Sequence, residues 1–333
     1  MSFLDKFKKL KKPLIIAEIG NNHEGSFDNA LKLIDAAKKT GVDAVKFQTY
    51  IPELYYPPSE TERIKKLKKY QLSYEQFSKL SIYAKKKKLI FVSTPFDLKS
   101  LTFLSKIVDI LKISSGDNNF YELIKNSTKS KKELIISTGL TSLNEIKKLK
   151  KIIKDLNYLK NTYFLHCVAN YPVELKNANL NFILKLKKLF KDNIGYSDHT
   201  LGIDACLVSF LIGTTIIEKH FTLDKSFSNF RDHAISADPK DMSLLIKKIS
   251  EYSMLLNGKK NDYLKCEKKE RILLRRSLYL NKDIKKNSSI KNSDLVALRP
   301  AKGISPNKKY LIINKKSKKN LKKGEIIKLT SFN

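Results

Sequence analysis

Short apolar runs alternate along most of the chain with longer segments in which apolar residues recur every three or four positions. The runs are typical of buried strands, and the helical spacing between them, for example at Ala30, Leu33, Ile34 and Ala37, predicts amphipathic helices. The predicted strands begin near positions 13, 43, 89, 108, 133, 162, 194 and 215, and a last helix follows at 240–256. Eight such alternating units over about 250 residues predict an α/β fold, a parallel (β/α)8 TIM barrel.

Two stretches depart from this alternation. Residues 50–72 contain adjacent prolines and no clean period, so we expect a long loop over the barrel mouth. After the barrel (1–256), residues 257–274 have the composition of a charged linker, and residues 275–333 carry short predicted strands at 277–280, 295–298 and 326–329. A segment of about 60 residues buries little surface alone. We therefore expect a small β-rich domain that packs against a barrel.

Two histidines occupy matching positions. His199 and His220 each follow a short apolar run and polar residues, and the helix-length segment LGIDACLVSFLIG lies between them. In a parallel barrel this places both at the carboxyl ends of adjacent strands, where such folds build their sites. Two neutral imidazoles can share one metal ion. The alternative is that each histidine is a hydrogen-bonded core residue, and the pattern alone leaves both interpretations open.

Polar residues also mark the ends of the other predicted strands. Lys46, Lys112 and Lys219 occur there among serines and threonines. Because lysine and hydroxyl groups together can satisfy phosphate oxygens, this ring predicts an anion site. Buried charges are rare unless they are paired, so an ion bridge between Lys112 and Glu18 in the barrel core is the alternative.

The formal net charge of +33 raises the question of a nucleic-acid partner. The basic residues are mostly lysine, whereas base and phosphate recognition usually relies on the arginine fork. Many lysines, such as Lys147, Lys151 and Lys185, fall on the outer faces of helix-like segments. We therefore interpret them as a solvated surface and expect no nucleic-acid partner, although the field would favour an anionic substrate.

Localisation follows from what the sequence lacks. No apolar run reaches the roughly 18 residues of a membrane span, and the N-terminal region shows no signal-peptide pattern. The cysteines Cys167, Cys206 and Cys266 are scattered and odd in number. This usage favours a reduced cytoplasm, without a membrane partner.

Many separate segments resemble one family, the sialic acid synthases. In order, they are IIAEIGNNHEG, DAVKFQTY, STPFD, LKISSGDNN, IISTG, GYSDHTLGIDA, IEKHFTLDK and RRSLYLNKDIKKNSSIKNSDLVALRPAKGIS, from about residue 13 to residue 328. The resemblance implies a (β/α)8 barrel followed by an antifreeze-like SAF domain. It also implies condensation of phosphoenolpyruvate with an N-acylated mannose-type or related sugar. Members form a domain-swapped homodimer, in which the small domain of one chain covers the barrel mouth of the other.

The resemblance also implies roles for individual residues. His199 and His220 match the two ligands of a divalent metal, usually Mn²⁺, with Mg²⁺ or Co²⁺ as alternatives. Arg299 matches the arginine that reaches the partner's site and contacts the acylamino group, and Asp117 stands at a catalytic carboxylate position where many members have glutamate. The residues matching the phosphoenolpyruvate pocket are Thr94, Lys112, Ser115, Ser137, Tyr171 and Ser197, and those matching the surroundings of the metal and sugar are Glu18, Lys46, Gln48 and Asp232.

One segment departs from the family pattern. Phe230 and Arg231 stand before the Asp232–His233 pair where members carry Gly-Pro. The resemblance places this loop near the sugar's distal groups. The sequence therefore leaves the identity of the acceptor sugar open. N-acetylmannosamine would give N-acetylneuraminate, and a diacetamido-trideoxyhexose would give legionaminate or pseudaminate. The alternative functions are a sugar-phosphate synthase of the octulosonate or heptulosonate type, against which the SAF-like segment argues, and a basic nucleic-acid-binding protein.

Overall fold

Parallel strands form a closed barrel in the first part of the chain. The computed structural model describes residue 7, residues 12–256 and residues 263–333. The chain divides into two compact units, 1–256 and 257–333. In the first, neighbouring strands pair in chain order and the last pairs with the first, which confirms the predicted barrel. The strands are β1 (Leu14–Gly20), β2 (Ala44–Thr49), β3 (Ile90–Pro95), β4 (Ile110–Ile113), β5 (Glu133–Ser137), β6 (Thr162–Cys167), β7 (Ile194–Asp198) and β8 (Ile216–His220).

Helices connect the strands, and local signals explain several of their ends. The side chain of Ser26 caps the first helix by accepting from the amide of Asn29, and Gly41 ends it with a φ of 92°. Ser73 and Ser142 each form a capping box. Within residues 12–256 the α-helices are α1 (Phe27–Thr40), α2 (Pro52–Tyr55), α3 (Thr61–Tyr70), α4 (Tyr74–Lys86), α5 (Leu98–Ile107), α6 (Tyr121–Lys129), α7 (Leu143–Asp155), α8 (Asn181–Phe190), α9 (Asp204–Ile212), α10 (Arg231–Ile235) and α11 (Pro239–Leu256).

The apolar residues of the strands form two layers because alternate side chains point to opposite faces. One cluster fills the barrel interior and includes Leu14, Ile16, Val92, Tyr163 and Leu165. A larger cluster packs the outer face of the strands against the helices. The interior cluster is built from the earlier strand residues, so the barrel is apolar towards the amino ends of its strands and polar towards their carboxyl ends.

The segment at positions 50–72 differs from the expected loop. It contains the helices α2 and α3, although its side chains do lie over the barrel mouth. The spacing of Ile64, Leu67 and Tyr70 is helical, but lysines at the remaining positions leave the segment with little apolar character. Lys147, Lys151 and Lys185 are exposed on their helices, as the solvated-surface interpretation requires.

The second unit has its own small core. Strands β9 (Ser277–Leu280) and β10 (Leu295–Leu298) pair antiparallel where the pattern predicts them. The expected third strand at 326–329 is wrong, because Ile326 makes only a single bridge with Tyr279. The segment 257–274, expected to be a charged linker, belongs to this unit, and its described part contains a helix, α12 (Lys268–Leu274). The buried side chains are Leu278, Leu280, Ile284, Ile290, Ile304, Ile312, Leu321, Ile327 and Phe332.

None of the helices in the described ranges is both long enough and apolar enough to span a membrane.

Candidate active site

A cavity of about 690 Å³ opens at the carboxyl ends of the barrel strands. This size suits one or two small metabolites. The structure brings twelve of the sequence-predicted site residues to its wall: Glu18, Lys46, Gln48, Thr94, Lys112, Ser115, Ser137, Tyr171, Ser197, His199, His220 and Asp232.

Strand register explains why these residues meet. In the parallel ladder, Glu18 of β1 lies beside Lys46 of β2 and beside His220 of β8. On the other side of β8, Ser197 of β7 lies beside Glu218. Because side chains alternate along a strand, Glu218 and His220 both point into the barrel. Five polar side chains on four neighbouring strands therefore converge without any contribution from the loops.

Two lysines and two glutamates form a buried charge cluster at the base of the cavity. Lys46 Nζ lies 2.9 Å from Glu18 Oε2 and 3.6 Å from Glu218 Oε1. Lys112 Nζ lies 3.7 Å from the same Glu218 oxygen and donates to Ser137 Oγ at 2.6 Å. Lys112 thus takes part in an ion bridge in the barrel core, but its carboxylate partner at salt-bridge distance is Glu218 and not the expected Glu18, which pairs with Lys46.

Burial acts differently on the two glutamates. Desolvation is the largest influence on Glu18 and raises its pKa to about 7, although Lys46 opposes the shift. Desolvation also acts on Glu218, but Lys112, Lys46 and the hydroxyl of Ser197 outweigh it and lower the pKa to about 2. Burial and the neighbouring lysines therefore push the two pKa values apart, raising that of Glu18 and lowering that of Glu218, a pattern that is common at acid–base sites.

The two histidines fit a divalent cation. Their ring centroids are 5.4 Å apart. His199 Nδ1 lies 2.8 Å from the carbonyl oxygen of Val168, so a proton on Nδ1 leaves the lone pair of Nε2 available to a metal. His220 Nδ1 is buried and makes no hydrogen bond within the described residues.

The protonation states of these histidines differ. Desolvation lowers the pKa of His220 well below its usual value, which keeps the imidazole neutral, as a ligand must be. Burial also lowers the pKa of His199, but contacts with Cys167 and Val168 raise it overall. No group of three or more His, Cys, Asp or Glu side chains suited to a metal occurs in the described ranges. The chain thus offers two imidazole ligands and leaves further positions to other donors.

The wall also has hydrogen-bonding capacity that the described residues do not use. Thr94 Oγ1 and Glu218 Oε2 are buried, and neither atom has a hydrogen-bond partner within the described part of the chain. Ser115 Oγ accepts from the amide of Gly139 at 3.2 Å, and a Cβ on Gly139 would lie 2.6 Å from that oxygen. Since buried polar atoms are normally paired, the wall is suited to a strongly polar ligand.

Lys219 does not belong to the predicted anion ring, which is a correction. It precedes an inward-pointing histidine, so the alternation of the strand turns it to the outer face of the barrel. There its Nζ lies 2.8 Å from Asp198 Oδ2, and both side chains are 0% exposed. The lysines of the cavity wall that belong to strands are therefore Lys46 and Lys112.

Two predicted residues stand apart from the wall. The carboxylate of Asp117 accepts a hydrogen bond from Ser114 Oγ at 2.5 Å, and burial raises its pKa. Asp117 does not line the cavity, whereas its neighbours Ser114 and Gly116 do. Arg299 belongs to the second unit, where it is exposed at the end of β10.

Sequence reasoning gave no role to several residues that line the cavity. Glu218 could have been found from the period of two, since it shares the inward face with His220. The side chains contributed by α2, α3 and the residue after α2 had no comparable signal, because their segment was expected to be irregular. These are Tyr55, Tyr56, Arg63, Lys66, Leu67 and Tyr70.

These side chains meet the segment that departs from the family pattern. The rings of Tyr70 and Phe230 lie 5.0 Å apart, and Lys66 Nζ lies 5.9 Å from the Phe230 ring. The guanidinium of Arg231 stacks over Tyr171 at 4.3 Å, and its Nε donates to Asp232 Oδ1 at 3.3 Å. We call Arg63, Lys66, Tyr70, Phe230 and Arg231 the rim.

Fold and site together define a (β/α)8 barrel with a polar, lysine-containing cavity at the carboxyl ends of its strands, which is where barrel enzymes build their active sites. Residues 33–261 match the NeuB family and residues 275–332 match the SAF domain. The chain is 35% identical to the N,N'-diacetyllegionaminic acid synthase of Campylobacter jejuni, over 96% of this chain and 100% of that one. It is 33% identical to the pseudaminic acid synthase of the same species, over 99% of each chain.

One solved structure of a related synthetase is also similar to this chain. The N-acetylneuraminic acid synthetase of Leptospira borgpetersenii, in complex with citrate, aligns with a TM-score of 0.73 and 35% identity, over 78% of this chain and 90% of that chain. The chain belongs to the NeuB family and is a transferase of the sialic acid synthase type.

Proposed function

We propose that this enzyme condenses phosphoenolpyruvate with an open-chain N-acylated amino sugar and releases phosphate by C–O cleavage. The observation that carries the proposal is the convergence in one cavity of Lys46 and Lys112 with the His199–His220 pair. The lysines suit the carboxylate and phosphate of one substrate. The histidine pair is suited to hold a cation, and that cation would act on the aldehyde of the amino sugar.

The lysines hold phosphoenolpyruvate beside the acceptor. Lys112 with Ser137 and Lys46 can donate to phosphate and carboxylate oxygens, and Ser115 and the hydroxyl of Thr94 complete the pocket. Such fixed donors orient the reacting carbons and remove most of the entropic cost of bringing them together.

The proposed reaction forms one carbon–carbon bond and breaks one carbon–oxygen bond. C3 of phosphoenolpyruvate forms a bond to the aldehyde carbon, and the aldehyde oxygen becomes a hydroxyl after taking a proton. Water adds to C2 and gives up one proton; the C2–O bond then breaks with both electrons going to phosphate, and the second proton of the water passes to the phosphate as the C2 ketone forms. Glu18 is the carboxylate we propose for these proton transfers because its pKa is raised to about 7 and it lines the cavity. Asp117 is the alternative, and Asp232 and Gln48 are proposed contacts of the sugar.

His199 and His220 are the residues we propose to hold a divalent cation, Mn²⁺ with Mg²⁺ or Co²⁺ as alternatives. Such a cation supplies Lewis-acid polarisation of the aldehyde oxygen. Tyr171 packs against the first of these histidines with ring centroids 4.1 Å apart and limits the movement of the imidazole.

We assign the choice of acceptor to the rim. Its aromatic faces suit an apolar sugar end, and the guanidinium of Arg231 can donate to an acylamino carbonyl. The acceptor is then N-acetylmannosamine or a diacetamido-trideoxyhexose, and the similarity to a legionaminic and a pseudaminic acid synthase supports the second.

A homodimer completes the proposal. Arg299 is exposed in its own unit, and the family resemblance implies that it reaches the cavity of a partner chain. We also propose a cytoplasmic location, which the three free cysteines support. The alternatives of a sugar-phosphate synthase and of a nucleic-acid-binding protein are not favoured, since the similar proteins are sialic acid-type synthases.

A phosphate-release assay tests the function. The enzyme is incubated with Mn²⁺, phosphoenolpyruvate and each member of a panel: N-acetylmannosamine, its 6-phosphate, a diacetamido-trideoxyhexose, arabinose 5-phosphate and erythrose 4-phosphate. We expect release only with an acylated amino sugar, accompanied by a nonulosonic acid in the mass spectrum. Release with arabinose or erythrose phosphate alone would replace this proposal by a sugar-phosphate synthase.

A further inference from the structure

A second ion pair lies directly behind the two histidines, on the outer face of the barrel. Asp198 and Lys219 are partners in the ladder between β7 and β8. Their charged atoms lie 2.8 Å apart, and both side chains are 0% exposed. The pair does not line the cavity.

Further hydrogen bonds tie this pair to the backbone. Asp198 Oδ1 accepts from the amide of Thr200 at 2.8 Å and from the hydroxyl of Tyr196 at 2.9 Å. Lys219 Nζ also donates to the carbonyl of Thr200. Cys206 on α9 donates its thiol to Asp198 Oδ2 at 3.3 Å. The pair thus fixes the residues on both sides of His199, and α9 contacts it from outside.

The chain positions give this network its significance. Asp198 immediately precedes His199, and Lys219 immediately precedes His220. A bond between the side chains of Asp198 and Lys219 therefore constrains the spacing of His199 and His220, the residues that follow them. We propose that the Asp198–Lys219 pair is a positioning device that sets the separation of the two histidines from behind the metal site. This inference rests on the proposed function, because it assumes that the histidines hold a cation.

Energetics favour positioning over stability as the role of the pair. Removing two charges from water offsets most of their attraction, so apolar residues of similar volume often stabilise a fold as well as a buried ion pair does. What an apolar pair cannot supply is direction, since it would bond neither the amide nor the carbonyl of Thr200. Outer contacts of this kind orient the ligands of a metal site. Removing them typically lowers the affinity of the site for the metal about 10- to 100-fold.

The test replaces the pair by apolar residues, Asp198→Leu with Lys219→Met, in the full chain. We expect the Mn²⁺ dissociation constant, measured by electron paramagnetic resonance titration, to rise about 10- to 100-fold. The midpoint of thermal unfolding without metal should fall only modestly, because the removal of two buried charges partly offsets the lost hydrogen bonds to Thr200 and Tyr196. The Mn²⁺ concentration for half-maximal activity should rise by the same factor. The matched control is Asp109→Asn, which alters a carboxylate bonded to the amide of Phe91 and should leave Mn²⁺ binding unchanged.

A milder variant keeps the inference testable if the double variant does not fold. Asp198→Asn can still accept from Thr200 and Tyr196 but loses the ionic bond to Lys219, so we expect a weaker loss of affinity. Wild-type Mn²⁺ affinity in a folded variant of either kind would overturn the positioning role. The proposed function fails differently: wild type and His220→Ala would then bind Mn²⁺ equally weakly, which would overturn the metal site and this inference with it.

Discussion

Carboxylate–lysine pairs lie at both ends of the barrel, in different surroundings. At the amino ends of the strands, Asp109 accepts a hydrogen bond from the amide of Phe91 at 3.0 Å, and its partner Lys85 is 43% exposed. At the carboxyl ends, Lys112 and Glu218 are 3% and 6% exposed. Glu218 Oε2 makes no hydrogen bond within the described part of the chain. At the amino end, the backbone satisfies hydrogen bonds of the carboxylate. At the carboxyl end, the carboxylate keeps an oxygen without a hydrogen-bond partner among the described residues.

The difference shows how to separate structural from functional charges. A pair open to solvent contributes between 0 and about 1 kcal/mol. A buried pair gains little net stability, but it becomes costly once one partner is removed. Unused hydrogen-bonding capacity in a buried cluster, more than the presence of charge, is therefore what we expect of the end of the barrel that binds substrate.

The largest effect is expected from removing the metal. EDTA should abolish activity and added Mn²⁺ should restore it, because two histidines alone cannot polarise the aldehyde. His199→Ala and His220→Ala should each weaken Mn²⁺ binding. His166→Gln is the matched control, since His166 is buried but bonds the carbonyl of Ala178 at 2.8 Å, away from the cavity wall. Full turnover of His220→Ala without metal would contradict the assignment.

A lysine from each end compares the two pairs directly. Lys112→Met should lower activity about a thousandfold or more and destabilise the fold by about 3–5 kcal/mol, because it leaves Glu218 with less compensation. Lys85→Met should cost about 1 kcal/mol or less and leave activity unchanged. Denaturant unfolding and phosphate release measure the two effects. Equal destabilisation by both substitutions would show that burial does not separate the two ends.

Arg299 tests whether the carboxyl end needs a second chain. Arg299→Ala should raise the sugar KM or lower kcat about ten- to a hundred-fold, since a charge-assisted hydrogen bond is worth roughly 1.5–3 kcal/mol. The KM for phosphoenolpyruvate should change much less. Mixing this variant with a His199→Ala chain should restore part of the activity, because one barrel of the heterodimer is intact and receives an intact arginine. Heterodimers without recovery would exclude the swapped arrangement.

The smallest effect is expected at the rim. Replacing Phe230 by glycine and Arg231 by proline, the residues of the family pattern, should change the ratio of kcat/KM between two acylated sugars by about three- to tenfold. A change of this size corresponds to the loss of one or two modest contacts. The KM for phosphoenolpyruvate should stay constant. An unchanged ratio between acceptors would remove the rim from the account of specificity.

Local pattern was enough for the barrel and for part of the wall. The polar strand ends predicted Lys46 and Lys112, and the shared setting of His199 and His220 predicted adjacent strand ends, whereas other wall residues such as Asp232 came from the family resemblance. The period of two along a strand would have excluded Lys219 from the anion ring, since it and His220 are consecutive and must point to opposite faces.

The remainder depended on contacts between segments distant in the chain. The partner of Lys219 lies on another strand, at Asp198, and no local spacing reveals that pairing. The rim joins Tyr70 to Phe230, which are separated by most of the barrel. The lysine-rich segment of α3 conceals a helix because its few apolar positions give a weak periodic signal.

The central claim is that this cavity joins phosphoenolpyruvate to an acylated amino sugar by cleaving a C–O bond. Phosphoenolpyruvate carrying a heavy oxygen isotope at the bridging position tests it most directly, in the presence of Mn²⁺ and an acylated amino sugar that supports turnover. If C2–O breaks, the released phosphate retains the label, and we expect complete retention in the mass spectrum. Unlabelled phosphate, with the heavy oxygen left on the organic product, would mean P–O cleavage and would contradict the account.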